Sequence, residues 1–72
     1  MNSAKFIGIM HENGDTQTSL SKAMGIARCT LKRKIYEVDG AAFTLPELRF
    51  LKKRYSINDS EYMAIFFADN VS

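Results

Sequence analysis

The stretch TQTSLSKAMGIARCTLKRKI, from Thr16 to Ile35, is the feature that most restricts how this chain can fold. It places one glycine, Gly25, between two short helical patterns, where a helix needs a left-handed residue in order to end. Two short helices cross at a steep angle only if their turn is tight and the residues in contact are small or apolar at fixed offsets. The residues at those offsets are Leu20, Ser21, Ile26 and Leu31. The stretch therefore predicts a helix-turn-helix at about residues 17–36.

Length and composition predict one small globular domain over residues 1–72. A chain of 72 residues buries only about 60% of its unfolded surface. The shares of 46% hydrophobic and 25% charged residues are usual for a globular domain. No apolar run approaches the ~20 residues that span a bilayer, and the stretch MNSAKFIGIMHENGD lacks the pattern of a signal peptide. The single cysteine, Cys29, cannot form an internal disulfide. We therefore expect a cytoplasmic protein that does not enter a membrane.

Helical patterns account for most of the chain, and no convincing strand is found, so we expect an all-α fold of five short helices. Cap chemistry indicates where each helix begins. Ser3 and Thr16 are N-cap candidates, and Thr44 is placed to form a capping box with Glu47, with Pro46 in the first turn. The expected segments cover residues 4–12, 17–24, 28–36, a fourth from the cap at 44 to about 55, and a fifth that begins at 58–61.

Basic residues are distributed unevenly, although the net charge of +2 is too small to indicate a polyanionic partner by itself. Five basic residues and no acid lie between Lys22 and Lys34. A second basic group falls at helical spacing later in the chain: Arg49, Lys52, Lys53 and Arg54. Either group is a solvated helix face or, where a suitable scaffold presents it, a nucleic-acid footprint.

The helix-turn-helix is joined by two further motifs, LPEL at residues 45–48 and an Asn-Asp-x-Glu cap followed by Ile-Phe-Phe near the end. With these motifs the chain resembles the DNA-binding domains of lambdoid phage repressors and Cro proteins, within the xenobiotic-response-element family. It is also similar to the small regulators of Gram-positive phages, including the antirepressors called modulators of repression. The resemblance implies a lambda-repressor-like fold, in a transcriptional regulator of a lysis/lysogeny switch in the bacterial host cell. Its expected partner is double-stranded operator DNA, read as a homodimer.

The resemblance also assigns residues to the DNA contact. It places the base-reading positions at Arg28, Cys29, Lys32 and Arg33, along the outer face of the third segment. An arginine there can bind guanine O6 and N7 bidentately. It places phosphate contacts at Thr16, Gln17, Thr30, Phe43 and Thr44, where helix N-termini and backbone amides meet the DNA backbone.

Four residues depart from the family pattern. Ser21 stands where alanine is favoured, and Lys34 where an inward aliphatic residue is common, so we expect Ile35 to supply that packing. Asp15 occupies a position that is usually apolar and close to phosphate, where its charge would repel DNA. Glu37 replaces the usual glycine after the recognition helix and adds a second negative charge.

Apolar residues exceed what one helix face can bury. Phe6, Ile7, Ile9 and Met10 span more than one face of the first segment, so they either fill a small core or form a patch that docks a partner. Of the adjacent Phe66 and Phe67, one can point inward while the other needs a symmetry mate or another protein. These six residues are the protein-interface candidates: Phe6, Ile7, Ile9, Met10, Phe66 and Phe67.

The surplus apolar residues, with the acids Asp15 and Glu37, support an alternative function. In that alternative the chain is an antirepressor that binds the DNA-binding domain of a phage repressor. An acidic surface with apolar edges fits another protein's basic recognition helix. The two functions are compatible, since a heterocomplex can still contact DNA through Arg28 and Lys32.

Catalysis has little support in the sequence. His11 is the only histidine, and a general base needs a positioned partner and a pocket. Cys29 has no second cysteine with which to hold zinc or form a redox pair. We therefore expect no catalytic residue, metal, cofactor or small-molecule substrate.

Overall fold

The computed structural model describes residues 1–67, and these form five α-helices with no strand among them. The helices are α1 (Ser3–Glu12), α2 (Gln17–Met24), α3 (Arg28–Ile35), α4 (Leu45–Arg54) and α5 (Asp59–Phe66), with one 3₁₀ turn at Val38–Gly40. The predicted all-α class with five short helices is thus confirmed for this part of the chain. No helix among these residues has the length and apolarity required to cross a bilayer.

Two helices begin at the predicted caps Thr16 and Thr44, and both caps are reciprocal, although the sequence predicted a capping box only for Thr44 and Glu47. The Thr16 hydroxyl accepts a hydrogen bond from Ser19 N at 3.1 Å, while Ser19 Oγ accepts one from Thr16 N at 2.9 Å. Thr44 Oγ1 accepts from Glu47 N at 3.4 Å, and Glu47 Oε1 accepts from Thr44 N at 2.8 Å. Both capping boxes satisfy amides that the helix itself leaves free, so local chemistry determines where α2 and α4 start.

The first helix begins one residue earlier than predicted. Its cap is Asn2, whose Oδ1 accepts from Lys5 N at 3.1 Å, and not Ser3. Ser3 is the first helical residue, and its hydroxyl donates to the carbonyl of Ile35 at 2.8 Å. The Ser3 side chain therefore connects α1 to the end of α3, and Asn2 caps α1 in its place.

The α2–α3 connection is as tight as the sequence predicts. Gly25 ends α2 in the left-handed conformation, with φ of 72°. Its amide bonds Lys22 O at 3.2 Å, and the amide of Ile26 bonds Ser21 O at 3.0 Å, which satisfies carbonyls at the helix end. Only three residues separate the two helices, and α2 and α3 form the most closely packed helix pair in residues 1–67.

The core draws at least one side chain from every helix. The fully buried side chains are Phe6, Met10, Leu20, Leu31, Ile35, Leu51 and Ile65. Burying each one stabilises the fold by about 1.5–3 kcal/mol. The α1 end of this core is tied to α5 by a hydrogen bond from Asn2 N to Ile65 O at 2.7 Å.

Two residues predicted as interface candidates belong to this core. Phe6 and Met10 are 0% exposed, so no partner can reach them in the folded chain. The Phe6 ring contacts Phe43 and Phe66, each at 5.8 Å between centroids. The small core thus uses the apolar residues of α1 on more than one side, which is the first of the two interpretations that the sequence left open.

Candidate nucleic-acid interface

The third helix presents a basic face to solvent. Leu31 and Ile35 are fully buried and set the rotation of α3 about its axis. At about 100° per residue, Arg33 lies opposite these two residues with Cys29 and Thr30 beside it, while Arg28 and Lys32 lie nearer the core side. All four base-reading candidates are nevertheless exposed: Arg28, Cys29, Lys32 and Arg33. Thr30 is exposed as well, and no acid lies on the helix.

The start of α3 offers free backbone amides. Its N-cap is Ala27, and no side chain among residues 1–67 caps the helix. The amides of Arg28, Cys29 and Thr30 therefore point out of the first turn without a helical partner. Because the positive end of the helix dipole adds to these donors, an anionic group is favoured there. The sequence reasoning did not single out this missing cap, although an alanine at position 27 was the visible signal.

The start of α2 lies beside the start of α3. Arg28 Nη1 donates a long hydrogen bond to Thr18 Oγ1 at 3.4 Å. Because Thr16 caps the amide of Ser19, the amides of Gln17 and Thr18 remain for an anion. Thr18 is exposed and Gln17 is half-buried. Thr18 was not among the predicted contacts, and its position in the first turn was the signal that could have identified it.

The start of α4 offers less to a phosphate than the sequence suggests. The amide of Thr44 is already bonded to Glu47, and Pro46 has no amide hydrogen. The Phe43 ring packs against Phe6 and, at 6.3 Å between centroids, against Phe66. In place of the phosphate contacts expected at Phe43 and Thr44, this helix start presents the Thr44 hydroxyl and the Leu45 amide.

Lys34 turns away from the basic face. Its Nζ lies 2.7 Å from both carboxylate oxygens of Glu47, and both side chains are about four-fifths buried, at 18% and 20% exposure. Burial alone would raise the pKa of Glu47, but hydrogen bonds from Lys34 and Thr44 outweigh it and hold that pKa below its ordinary value. Ile35 is fully buried, as expected for the residue that takes over the inward packing.

Asp15 does not face the DNA as an open charge, contrary to the sequence-based expectation. It is 9% exposed, and its carboxylate accepts hydrogen bonds from Arg54 Nε at 2.8 Å and Nη2 at 3.0 Å. The Tyr55 hydroxyl at 2.7 Å and the Ser19 hydroxyl at 2.8 Å complete the site. The Arg54 guanidinium, chiefly through its hydrogen bonds, holds the pKa of Asp15 far below its usual range. The acid is thus compensated within the fold and does not oppose a phosphate as strongly as a free carboxylate would.

Two acids follow the basic helix, and both have left-handed backbones, with φ of 53° at Glu37 and at Asp39. The Glu37 carboxylate accepts a hydrogen bond from the ammonium of Met1 at 2.8 Å. Asp39 lies 3.6 Å from Arg33 Nη2, and both of these side chains are mostly exposed. Asp39 was not among the sequence-predicted site residues, since its approach to Arg33 goes with a left-handed backbone that is uncommon outside glycine.

The remaining interface candidates differ in exposure. Ile7 and Ile9 are half-buried against the core, and Phe66 is half-buried among the aromatic rings. Phe67 is 49% exposed, so one of the adjacent phenylalanines faces inward and the other outward, as expected.

Comparison of the chain with protein-family models, with curated proteins and with solved structures gives no match. The class that the structure defines is therefore broad: a small protein whose described part is five α-helices around one apolar core. Within that class, the distinguishing feature is a short helix with buried leucine and isoleucine on one side and exposed cations on the other.

Proposed function

We propose that this chain is a small helix-turn-helix regulator that binds duplex DNA through α3, as a Cro-like protein of a phage lysis/lysogeny switch does. The observation that carries the proposal is the two-sided character of α3. Leu31 and Ile35 anchor it in the core, while Arg28, Lys32 and Arg33 stand exposed with no acid on the helix. The major groove admits an α-helix, and exposed arginines on that helix can read guanine.

The roles of individual residues follow from their positions. Arg28 and Arg33 are base readers, and each bidentate contact to guanine is worth about 1–3 kcal/mol of discrimination. The amides of Gln17 and Thr18 bind a phosphate at the start of α2, which sets the register of α3 in the groove. Lys32 extends the cationic surface and makes binding depend on salt.

A homodimer fits this mode of binding. An eight-residue helix is only about 12 Å long, so one copy contacts few base pairs. Two copies related by a two-fold axis read two half-sites about 34–36 Å apart. Phe67, directly after α5 and 49% exposed, is the candidate for the contact between the copies.

Selection from a random duplex library at physiological salt tests the proposal. We expect an enriched pseudo-palindrome, with the preference lost in Arg28→Ala and Arg33→Ala. Arg49→Ala is the matched control, since it removes an exposed arginine from α4 and should leave the preferred sequence unchanged. Unchanged preference in both α3 variants, in protein shown to be folded by circular dichroism, would refute it.

Cys29 supplies an independent readout, because it is exposed and is the only cysteine in the chain. If α3 enters the groove, the enriched duplex should slow alkylation of Cys29 by iodoacetamide, while an unrelated duplex at the same concentration should slow it less. Equal rates with and without the enriched duplex would place the DNA on a different surface.

One observation favours the second candidate, the antirepressor. After α3 the chain exposes Tyr36 and Val38, at 47% and 43%, next to the carboxylates of Glu37 and Asp39. This surface combines apolar side chains with two carboxylates, paired with the Met1 ammonium and with Arg33, that a basic recognition helix can bind in their place. Size-exclusion chromatography with the DNA-binding domain of a phage repressor tests it, with a single co-eluting complex as the expected outcome and two separate peaks as the contrary one.

A further inference from the structure

A groove lies between the last turn of α2 and the first half of α4. It is lined by Ala23, Met24, Pro46, Glu47 and Phe50, and its volume is about 220 Å³. An apolar cavity of about 150 Å³ already holds benzene, so this groove has room for one large side chain. None of its lining residues lies on α3, which separates it from the proposed DNA contact.

The groove is apolar, and its own charges are compensated. Glu47, the one acid in its wall, is paired with Lys34. The guanidinium carbon of Arg54 lies 6.0 Å from the centre of the Phe50 ring, but Arg54 is bound to Asp15. What remains as a binding surface is the side chains of Met24, Pro46 and Phe50, with Phe50 38% exposed.

The rim of the groove carries two further cations. Arg49 follows Pro46 by three residues and Lys53 follows Phe50 by three, so each lies about one helical turn from one lining residue of the groove. Both are exposed, and neither makes an ion pair with another residue in 1–67. The apolar groove thus has two cations close to it that are unpaired within residues 1–67.

We propose that this groove binds an acidic peptide segment of another protein. One large apolar side chain of the segment, aromatic or leucine, enters between Met24, Pro46 and Phe50, and flanking carboxylates pair with Arg49 and Lys53. At protein interfaces, a few apolar anchors that fill pockets carry most of the binding energy, and charges at the rim guide the encounter. A DNA backbone would meet the two cations but would leave the apolar floor covered by water, which is why the occupant is assigned as a peptide.

A tryptophan peptide tests the proposal directly, because the chain contains no tryptophan. The probe is a blocked octapeptide, glycine-glutamate-glutamate-tryptophan-leucine-glutamate-glutamate-glycine, with a second peptide in which glutamine replaces every glutamate. We expect a saturable blue shift of the probe's fluorescence, with the glutamine peptide at least about fivefold weaker. In amide NMR spectra, the shifted signals should cluster at Ala23, Met24, Glu47 and Phe50.

Variants locate the site. Phe50→Ala should weaken probe binding at least about fivefold, whereas Phe67→Ala, which removes an even more exposed ring just after α5, should not. Replacing both Arg49 and Lys53 by glutamine should weaken the probe and reduce its dependence on salt. Arg33→Ala should bind the probe like the unaltered chain, so failure of the DNA proposal would leave this one standing.

Four results would overturn the proposal: no saturable binding, equal affinity for the glutamine peptide, probe-induced shifts on α3, or equal losses in Phe50→Ala and Phe67→Ala. Duplex DNA that shifts the groove amides while the probe does not would also overturn it, in favour of a nucleic-acid surface.

Discussion

Arg54 joins the end of α4 to the turn between α1 and α2 by donating two hydrogen bonds to Asp15, a residue 39 positions earlier in the chain. The Tyr55 hydroxyl donates a third to the same carboxylate. Burial raises the pKa of Tyr55, and its hydrogen bond to Asp15 raises that pKa further. A charge that looks misplaced on a DNA-binding surface therefore acts as a cross-link within the fold.

Asp15→Asn should lower the free energy of unfolding by about 2 kcal/mol at pH 7, because it replaces charged hydrogen bonds by neutral ones. The pKa of Asp15 is depressed in the folded chain, so its stabilising effect is complete above the unfolded value of about 3.9 and is lost as the pH falls below it. Urea unfolding should thus show a constant difference above about pH 5 that shrinks at pH 3.

The matched control is Asp59→Asn, which removes an exposed carboxylate that pairs with Lys52 on the surface. It should leave the stability nearly unchanged, since exposed ion pairs contribute little. A difference between Asp15→Asn and the unaltered chain that is the same at pH 3 and pH 7 would contradict the assignment of the effect to ionisation.

The parts of the fold that were predictable are those decided by neighbouring residues. The caps at Thr16 and Thr44 and the left-handed Gly25 are set within a few positions of sequence. The role of Asp15 was not predictable, because its partner Arg54 arrives through tertiary packing. The cap of α1 was misassigned because Asn2 and Ser3 can both serve, and only the distant carbonyl of Ile35 decides between them.

In the candidate site too, the features set by neighbouring residues were predictable and those set by tertiary packing were not. Its basic face followed from the spacing of Leu31 and Ile35, which determines which side of α3 is left outside. A phosphate contact was expected at Phe43 from its place before α4. Its ring packs against Phe6 in the core, which the local sequence does not indicate. Asp39 could not be foreseen beside Arg33, because the left-handed backbone found at Asp39 is uncommon for residues other than glycine and is not signalled by the sequence.

Gly25→Ala should destabilise the chain by about 1 kcal/mol, because alanine must adopt the left-handed conformation there. An added Cβ would meet no atom within 4 Å, so the cost is conformational and not steric. Gly8→Ala is the matched control, since Gly8 lies within α1, is exposed and is equally unobstructed. It should stabilise the chain by about 0.5–1 kcal/mol. Thermal unfolding of the pair should show shifts of opposite sign, and shifts in the same direction would contradict the account of the turn.

Glu47→Ala should lower the free energy of unfolding by about 1–2 kcal/mol, because it removes one arm of the α4 capping box and leaves the largely buried Lys34 without its partner. Glu61→Ala is the control, since Glu61 holds the same third position in α5 but only its amide, and not its carboxylate, is bonded to the cap at Asn58. Its cost should be at most about 0.5 kcal/mol. Urea unfolding measures both variants. Equal decreases in the free energy of unfolding would show that the Lys34–Glu47 ion pair does not stabilise the fold.

Asp39→Asn should tighten binding to the selected duplex by about twofold to fivefold, because it removes a carboxylate that competes with DNA for Arg33. Asparagine tolerates the left-handed backbone at this position, so the loop should keep its shape while its charge changes. The gain should largely disappear when Asp39→Asn is combined with Arg33→Ala, and Asp59→Asn, an exposed acid on α5, should give none. Fluorescence anisotropy at two salt concentrations measures these three variants beside the unaltered chain and Arg33→Ala. Weaker binding by Asp39→Asn would instead mean that the carboxylate orients Arg33 toward the base, and the pair would then be an element of recognition.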